Sequence, residues 1–297
     1  MIGVITYRKK LILNMTFKEI LDEATRYLKS HHIEEADCSA WQLMEFVWGI
    51  NRSYYFTHSD DIIEDREKTQ YMSLVRRRAE REPLQYITGK AYFMGYEFHV
   101  DESVLIPRFD TEILVDEVGK LVRPDDNILD MCSGSGCIAI ALELEHTGLH
   151  ITGVDISIKA IDVARRNARD LKANVSFVES DLFENVSGKY NIIVSNPPYI
   201  RTAVIDELMM EVQGHEPRLA LDGTADGLHF YRRIISQAKN FLVPDGYLAF
   251  EIGYEQASEV SILMSEAGYH DIRVIKDLAG LDRVVIGHSN CGIAPQS

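Results

Sequence analysis

The sequence predicts an α/β protein in which a small N-terminal helical bundle precedes a Rossmann-like domain with a mostly parallel, seven-stranded sheet. Three observations support this fold class. Residues 16–82 have helical periodicity, the chain after residue 127 alternates short apolar strands with amphipathic helices, and a glycine-rich turn follows the first of those strands. Such alternation is typical of a parallel sheet covered by helices on both faces. We therefore expect domains at 15–82 and 108–290, joined by a β-hairpin linker at 83–107.

Composition limits the possible partners. The chain of 297 residues carries 31 Lys and Arg against 46 Asp and Glu, and its net charge of -15 repels a polyphosphate backbone over most of the surface. Nucleic acid is thus an unfavoured partner. No segment reaches membrane-spanning length, and the four cysteines, Cys38, Cys132, Cys137 and Cys291, form no C-x-x-C pair or metal-binding pattern. We expect a cytoplasmic protein with reduced thiols, no metal site and no membrane contact.

The N-terminal bundle is predicted from apolar residues at helical spacing, among them Ile20, Ala24 and Leu28. The aromatic-rich stretch at 41–48 continues this pattern. Core packing explains that stretch better than a docking face for a partner does, because its apolar residues recur at the spacing of one buried helix face.

The linker at 83–107 is rich in aromatic and β-branched residues and has turn glycines at Gly89 and Gly95, which indicates a hairpin. One helix of the second domain is well marked, since Ser157 can cap its start and several apolar residues share one face, namely Ile158, Ile161, Ala164, Ala168 and Leu171. The strand candidates of the sheet are 128–131, 151–154, 175–178, 192–194, 247–252, 271–275 and 283–287.

The first strand of the sheet ends in a glycine-rich turn, and an apolar helix at 138–144 follows directly. Glycines let the backbone pass close beneath a ligand, and the start of a helix offers N–H groups to a carboxylate or phosphate. A purely structural turn needs the same residues, so the turn alone does not establish a cofactor site. Its members are Cys132, Ser133, Gly134, Ser135 and Gly136.

Acidic residues end the next two strands. Asp155, about twenty residues beyond the turn, can accept both hydroxyls of a ribose, although it could also cap the following helix. Asp181 can accept the adenine amino group while Leu182 and Phe183 pack near the ring, although it could also lie in a simple turn. Together these acids favour a nucleoside cofactor. Ala139 stands where a dinucleotide fingerprint has its third glycine, and an NAD-dependent oxidoreductase is the rival class.

The fourth strand breaks into Asn196, Pro197, Pro198 and Tyr199. The prolines hold the backbone rigid and have no N–H to donate. The Asn196 side-chain carbonyl and the Pro197 backbone carbonyl provide two acceptors for the two hydrogens of a planar NH2 group, against which Tyr199 can lie flat. With the cofactor features, this turn indicates a class I methyltransferase dependent on S-adenosylmethionine, with Asn196, Pro197 and Tyr199 as catalytic residues.

The expected reaction is in-line attack of the NH2 nitrogen on the sulfonium methyl group. A carboxamide nitrogen is a poor nucleophile because its lone pair is delocalised, so hydrogen bonds to both hydrogens and close positioning must supply the rate. No strong general base is required, because the methylated cation is very acidic and sheds a proton readily.

On these motifs the chain resembles the HemK/PrmC family of release-factor glutamine methyltransferases, which methylate the glutamine of a Gly-Gly-Gln motif. The resemblance covers the glycine turn and the segments at 83–89, 105–112, 196–200, 216–221 and 276–280. It implies S-adenosyl-L-methionine as cofactor, S-adenosyl-L-homocysteine as product, and class-1 peptide chain release factors as protein substrates.

The same resemblance implies roles for individual residues. The glycine turn, Asp155, Leu182 and Asn196 would hold the cofactor, residues 196–199 would grip the glutamine, and Arg108 would bind substrate near the cofactor or the site entrance. Two positions depart from the family pattern. Phe109 stands where the family often has proline, which bears on loop rigidity, and Leu182 stands where some members carry tryptophan, which bears on adenine packing.

Other functions stay open at this point. The Asn-Pro-Pro-Tyr turn also occurs in enzymes that methylate amino groups of nucleic acid bases, although the acidic composition and the flanking family segments favour a protein glutamine. A related family modifies a glutamine of a ribosomal protein. A binding module that holds the cofactor without turnover is the last alternative, and the intact Asn196 turn disfavours it.

Overall fold

The computed structural model describes residues 15–289, which form two compact units with their boundary between Thr88 and Gly89. Residues 1–14 and 290–297 lie outside the described range, and with them Cys291 and the expected end of the second domain at residue 290. Of the helices that the described range contains, none is long and apolar enough to cross a membrane.

The first unit is a helical bundle. Its described helices are α1 (Phe17–Ser30), α2 (Ala36–Trp48), α3 (Arg52–His58), α4 (Asp65–Ala79) and α5 (Leu84–Thr88). A capping box begins α1, in which Thr16 and Glu19 each bond the backbone N–H of the other. The buried hydroxyl of Tyr71 donates to a backbone carbonyl of α2 at 2.8 Å. Trp41 is buried while Phe46 is 43% exposed, so core packing accounts for only part of the aromatic stretch.

The linker differs from the expectation in its first part. Leu84–Thr88 is helical, and the hairpin is confined to the antiparallel strands β1 (Lys90–Phe93) and β2 (Tyr96–His99). Pro83 accounts for the difference, since its carbonyl accepts hydrogen bonds from two backbone N–H groups of α5 and proline suits the start of a helix.

The second unit contains the predicted sheet. Beyond the hairpin, its described elements are α6 (Phe109–Gly119), β3 (Asn127–Met131), α7 (Cys137–Glu145), β4 (His150–Asp155), α8 (Ile158–Leu171), β5 (Val175–Glu179), β6 (Tyr190–Ser195), α9 (Thr202–Ile205), α10 (Met210–His215), α11 (Arg218–Leu221), α12 (His229–Ala238), β7 (Leu242–Glu251), α13 (Ala257–Glu266), β8 (Tyr269–Lys276) and β9 (Asp282–Ser289). The strands form one seven-stranded sheet in the order β5-β4-β3-β6-β7-β9-β8. Among these described strands β9 alone is reversed in direction, and it pairs antiparallel with both β7 and β8, while the other pairs are parallel. The mostly parallel sheet is confirmed.

Helix α8 has most of the buried face that its sequence predicted. Ser157 caps it, since its hydroxyl accepts the Ala160 N–H at 3.3 Å, and Ile161 and Ala164 are fully buried. Ile158 was expected on the same face but is 47% exposed. It is the first residue of the helix and precedes the turn that packs against the sheet, so periodicity alone overestimates its burial.

The strand order changes direction at β3. The chain passes from β3 to β4 and β5 on one side and then returns to β6 on the other side. In such sheets a ligand crevice opens at the carboxyl ends of the strands where the order reverses. The Ser195 hydroxyl ties these two strand ends together by donating to the Met131 carbonyl at 2.7 Å. The glycine turn and the Asn-Pro-Pro-Tyr turn both start at this edge.

Candidate active site

The turn between β3 and α7 has left-handed backbone at Cys132, Gly134 and Gly136, with φ of 61°, 52° and 79°. Gly136 has no room for a side chain, because an added Cβ would lie 2.8 Å from the Phe177 ring. An added Cβ at Gly134 would meet no atom within 4 Å. One side of the turn is therefore packed on the protein, and the side above Gly134 is open to a ligand.

Asp155 ends β4 and fixes the glycine turn. Its two carboxylate oxygens accept the backbone N–H groups of Gly134 and Ser157, each at 2.9 Å. Burial raises the pKa of Asp155, and these backbone hydrogen bonds oppose the rise. Because each carboxylate oxygen can accept more than one hydrogen bond, Asp155 can hold the turn and still accept the hydroxyls of a ligand.

Two polar groups near the turn are buried without a partner in the described part of the chain, Asp130 Oδ1 and Ser133 Oγ. The other oxygen of Asp130 accepts the Ala139 N–H of α7 at 3.3 Å. Burial raises the pKa of Asp130 to about 8. Buried polar atoms in proteins are nearly always paired, so these two atoms point to a polar ligand at the turn.

Asp181 follows β5 and forms an ion pair with Arg233, a residue that the sequence motifs did not identify. Arg233 of α12 makes two contacts of 3.0 Å with its carboxylate, one from each terminal nitrogen. Leu182 has a φ of 52° and is buried, and the Ser180 hydroxyl donates to its carbonyl at 2.7 Å. Phe183 stacks on another core ring at 4.6 Å, so of the two apolar residues Leu182 is better placed to meet a ligand.

Asn196 follows β6 and is held from helix α6. Its Nδ2 donates to Thr111 Oγ1 at 3.3 Å, which leaves Oδ1 as the acceptor for a ligand N–H. Pro197 and Pro198 are buried and, like all prolines, lack an N–H group. In this arrangement the amide nitrogen is engaged by the protein and the amide oxygen is left for recognition.

Tyr199 is clamped through both its side chain and its backbone. Its hydroxyl donates to Glu251 Oε1 at 3.3 Å, and its carbonyl accepts Gln256 Nε2 at 3.0 Å. Two glycines pack on its backbone so closely that an added Cβ would lie 2.7 Å from Tyr199 Cα for Gly223 and 2.4 Å from its carbonyl oxygen for Gly227. The segment that follows the turn thus fixes the position of the turn.

A buried carboxyl lies behind these residues. Glu251 ends β7 and is 2% exposed. Burial raises the pKa of Glu251 to about 7, although the nearby Thr111 hydroxyl, the charge of Arg283 and the hydrogen bond from Tyr199 all lower it. Arg283 is itself buried and also pairs with Asp110 at 3.1 Å.

Arg108 precedes α6 and forms an ion pair with Glu216, whose side chain is fully buried. Burial raises the pKa of Glu216, while the charge and hydrogen bond of Arg108 and the backbone N–H of Ile106 oppose this. The Arg108 side chain remains 40% exposed. The pair anchors the segment around Glu216 to the loop before α6, so Arg108 has a structural role here in addition to any contact with substrate.

The structure thus brings the motif residues to one sheet edge, through hydrogen bonds from Asp155 to Gly134 and from the Ser195 hydroxyl to the end of β3. Sequence reasoning gave no role to Glu251, Gln256 or Arg233. An acid that ends an apolar strand was a usable signal for Glu251. Gln256 and Arg233 carry no comparable signal, because their partners are set by tertiary contacts alone.

Comparisons with known proteins agree with this architecture. A model of the PrmC N-terminal domain matches residues 19–89, and a model of the methyltransferase small domain matches residues 108–213. A release factor glutamine methyltransferase of Geobacter sulfurreducens is 41% identical over 92% of this chain and 96% of its own length. One from Fusobacterium nucleatum is 42% identical over 90% of this chain and 77% of its own length.

Among solved structures, a methyltransferase from Pyrococcus furiosus covers 67% of this chain and 91% of its own, with a TM-score of 0.51 and 18% identity. At that identity the likeness concerns the fold alone. It agrees with the Rossmann-like domain of class I methyltransferases that the sequence predicted.

Proposed function

This chain belongs to the family of release factor glutamine methyltransferases, and we propose that it transfers a methyl group from S-adenosylmethionine to the side-chain amide nitrogen of the glutamine in the Gly-Gly-Gln motif of class-1 peptide chain release factors. The observation that carries the proposal is the Asn196 amide, whose Nδ2 is engaged by Thr111 at 3.3 Å. Its Oδ1 can accept one N–H of a planar NH2 group, and the rigid Pro197 carbonyl can accept the other.

The residues at the glycine turn fit the cofactor. The open side of Gly134, the N-terminus of α7, the spare lone pairs of Asp155 and the two unpartnered atoms of Asp130 and Ser133 suit a ligand with a ribose, a carboxylate and an ammonium group. Leu182 would pack near the adenine, and Asp181 would accept its amino group. When bound, S-adenosylmethionine supplies an electrophilic methyl group on a sulfonium.

The protein itself contributes position and hydrogen bonding. Asn196 Oδ1 and the Pro197 carbonyl would hold both N–H bonds of the glutamine amide in fixed directions, and the Tyr199 ring would lie against the plane of the amide. Accepting two hydrogen bonds raises the electron density on the nitrogen and stabilises the positive charge that develops there.

The proposed substrate is tested by label transfer. The chain is incubated with methyl-labelled S-adenosylmethionine and an unmethylated class-1 release factor, in parallel with a release factor whose Gly-Gly-Gln glutamine is replaced by alanine. We expect label in the first protein and none in the second. Equal label in both would place the reaction on a different residue. Label only in a ribosomal protein or in nucleic acid, supplied as further samples, would reject the release factor as substrate.

Gly227→Ala is expected to slow methyl transfer by about 10- to 100-fold, because displacing a positioning group by ~1 Å can cost about that much. The new Cβ would lie 2.4 Å from the Tyr199 carbonyl oxygen and would push the turn from its place. The measurement is the single-turnover rate at saturating cofactor. Gly188→Ala is the matched control, since Gly188 also has a positive φ, of 92°, but an added Cβ there meets no atom within 4 Å. Equal rates in the two variants would show that the clamp on Tyr199 does not matter.

A further inference from the structure

The carboxylate of Asp181 is held by the forked guanidinium of Arg233, a residue of α12. Arg233 Nη1 lies 3.0 Å from Asp181 Oδ1, and Nη2 donates to Oδ2 at 3.0 Å. Two parallel contacts of this kind fix the plane of a carboxylate as well as its distance. Within residues 15–289, no other hydrogen bond or ion pair to this carboxylate is found. The orientation of the Asp181 side chain therefore depends on Arg233.

This ion pair does little for the stability of the fold. Its side chains are partly open to solvent, with 33% of Arg233 and 31% of Asp181 exposed. An ion pair at such exposure contributes little to stability, because water competes for both charges. What the pair does fix is the direction of the carboxylate. Each carboxylate oxygen can accept more than one hydrogen bond, so the exposed part of Asp181 still offers acceptors to a ligand.

The backbone is held in place on both sides of this ion pair. The Ser180 hydroxyl donates to the Leu182 carbonyl at 2.7 Å and so closes the turn around Asp181. Arg233 projects from α12, in which the next residue, Ile234, is fully buried. Because the turn and the helix are both anchored, the side-chain torsions of Asp181 are what remains free, and the contacts to Arg233 fix them.

Asp181 also lies beside the residue proposed to hold the ribose of the cofactor. The Ser180 N–H donates to the backbone carbonyl of Asp155 at 2.9 Å, and Asp155 is paired with Glu179 where β4 and β5 end. Asp181 directly follows the residue that is bonded to Asp155. Because the base of a nucleoside is attached to its ribose, an acceptor next to the ribose site is suited to a group on the base.

We propose that Arg233 is a positioning residue that aims the Asp181 carboxylate at the 6-amino group of adenine and thereby sets the preference of the site for purines that carry this group. A carboxylate accepts hydrogen bonds and donates none, so it recognises an amino group and gains nothing from a purine with hydrogen at that place. The inference rests on the cofactor of the function proposed above and adds to it a residue and a selectivity. Arg233 does not touch the cofactor in this account, because it acts through Asp181.

The test compares the binding of two ligands by isothermal titration calorimetry, S-adenosylhomocysteine and its analogue in which hydrogen replaces the 6-amino group. We expect the wild-type protein to bind the analogue about 10- to 100-fold more weakly, as for the loss of a hydrogen bond to a charged group. Arg233→Met keeps an apolar stem but has no charge and no donor. In this variant S-adenosylhomocysteine should lose most of its advantage, while the analogue should bind as it does to the wild-type protein.

Arg232→Met is the matched control. Arg232 is the neighbour of Arg233 in α12 and forms a similar forked pair with Asp226, with contacts of 3.2 and 2.5 Å. Its replacement removes an arginine and an ion pair from the same helix without touching Asp181, so the wild-type preference should remain. Arg233→Lys is the second variant and serves if Arg233→Met fails to fold. A lysine ammonium cannot form the fork, so the preference should fall below that of the wild-type protein, and a full wild-type preference would contradict the role of the fork.

The binding results separate the inference from the proposed function, because they need no release factor. Equal weakening of both ligands by Arg233→Met would leave Arg233 a structural role alone and overturn the inference. A wild-type protein that binds both ligands equally well would overturn it too, since Asp181 would then not recognise the amino group. Either result together with a methylated release factor rejects the inference and keeps the function.

The opposite combination is equally informative. If the expected preference is found but no release factor is methylated, the inference on Arg233 stands and the substrate is wrong. If the wild-type protein binds neither ligand, the cofactor is wrong, and both the inference and the proposed function are rejected.

Discussion

Asn196→Ala is expected to lower the single-turnover rate of methyl transfer by at least about 10- to 100-fold, each tenfold step being about 1.4 kcal/mol of barrier. The variant loses the oxygen that accepts an N–H of the substrate amide. A carboxamide nitrogen attacks poorly by itself, and preorganised hydrogen bonds to the developing charge are usually the largest single contribution in such sites. The wild-type contact to Thr111 at 3.3 Å, which orients the amide, is lost as well.

The measurement is a rapid-quench single turnover with cofactor and release factor both saturating, so that weaker binding does not contribute. Asn174→Ala, at an exposed asparagine between α8 and β5, is the matched control and should keep the wild-type rate. A rate constant for Asn196→Ala equal to that of the control would contradict the role of the Asn196 oxygen.

Asp155→Ala is expected to weaken the binding of S-adenosylmethionine by about 100-fold, since a hydrogen bond to a charged group contributes about 1.5–3 kcal/mol. Two losses add up in this variant. The ribose hydroxyls lose their acceptor, and the Gly134 and Ser157 N–H groups lose the 2.9 Å hydrogen bonds that hold the glycine turn in place.

Isothermal titration calorimetry with S-adenosylmethionine measures this effect directly. Asp162→Ala removes an exposed carboxyl from α8, whose ion pair with Arg165 spans 3.7 Å, and should leave the affinity unchanged. If Asp155→Ala bound the cofactor as tightly as this control, Asp155 would be a residue of the turn alone and not of the cofactor site.

The features that the sequence predicts here are those encoded locally. Alternation of apolar strands and amphipathic helices indicates the parallel sheet, because each period reflects a face that must be buried. The glycine turn and the turn at Asn196 can also be predicted from the sequence, because they depend on properties of single residues. Glycine tolerates left-handed backbone, and proline has no N–H group. The positions of Asp155 and Asp181 follow from their places at strand ends.

The features that the sequence does not predict depend on contacts between distant parts of the chain. The hydroxyl of Thr111 lies within hydrogen-bonding distance of Asn196 only after α6 packs against β7 and β9 of the sheet, and no local pattern encodes that distance. The same is true of Gln256, which holds the Tyr199 carbonyl at 3.0 Å. The sequence prediction missed the helix at Leu84–Thr88 for a different reason, because five residues are too few to show a helical period.

The measurement that tests the central claim most directly is mass spectrometry of a class-1 release factor after incubation with the chain and S-adenosylmethionine. The release factor is digested, and the peptide that contains Gly-Gly-Gln is fragmented. The account predicts one added methyl group on the side chain of that glutamine, and much less of it with Asn196→Ala after the same short incubation, as a rate lowered by at least about 10-fold requires. A methyl group on any other residue, or an unmodified peptide from a protein that binds the cofactor, would contradict it.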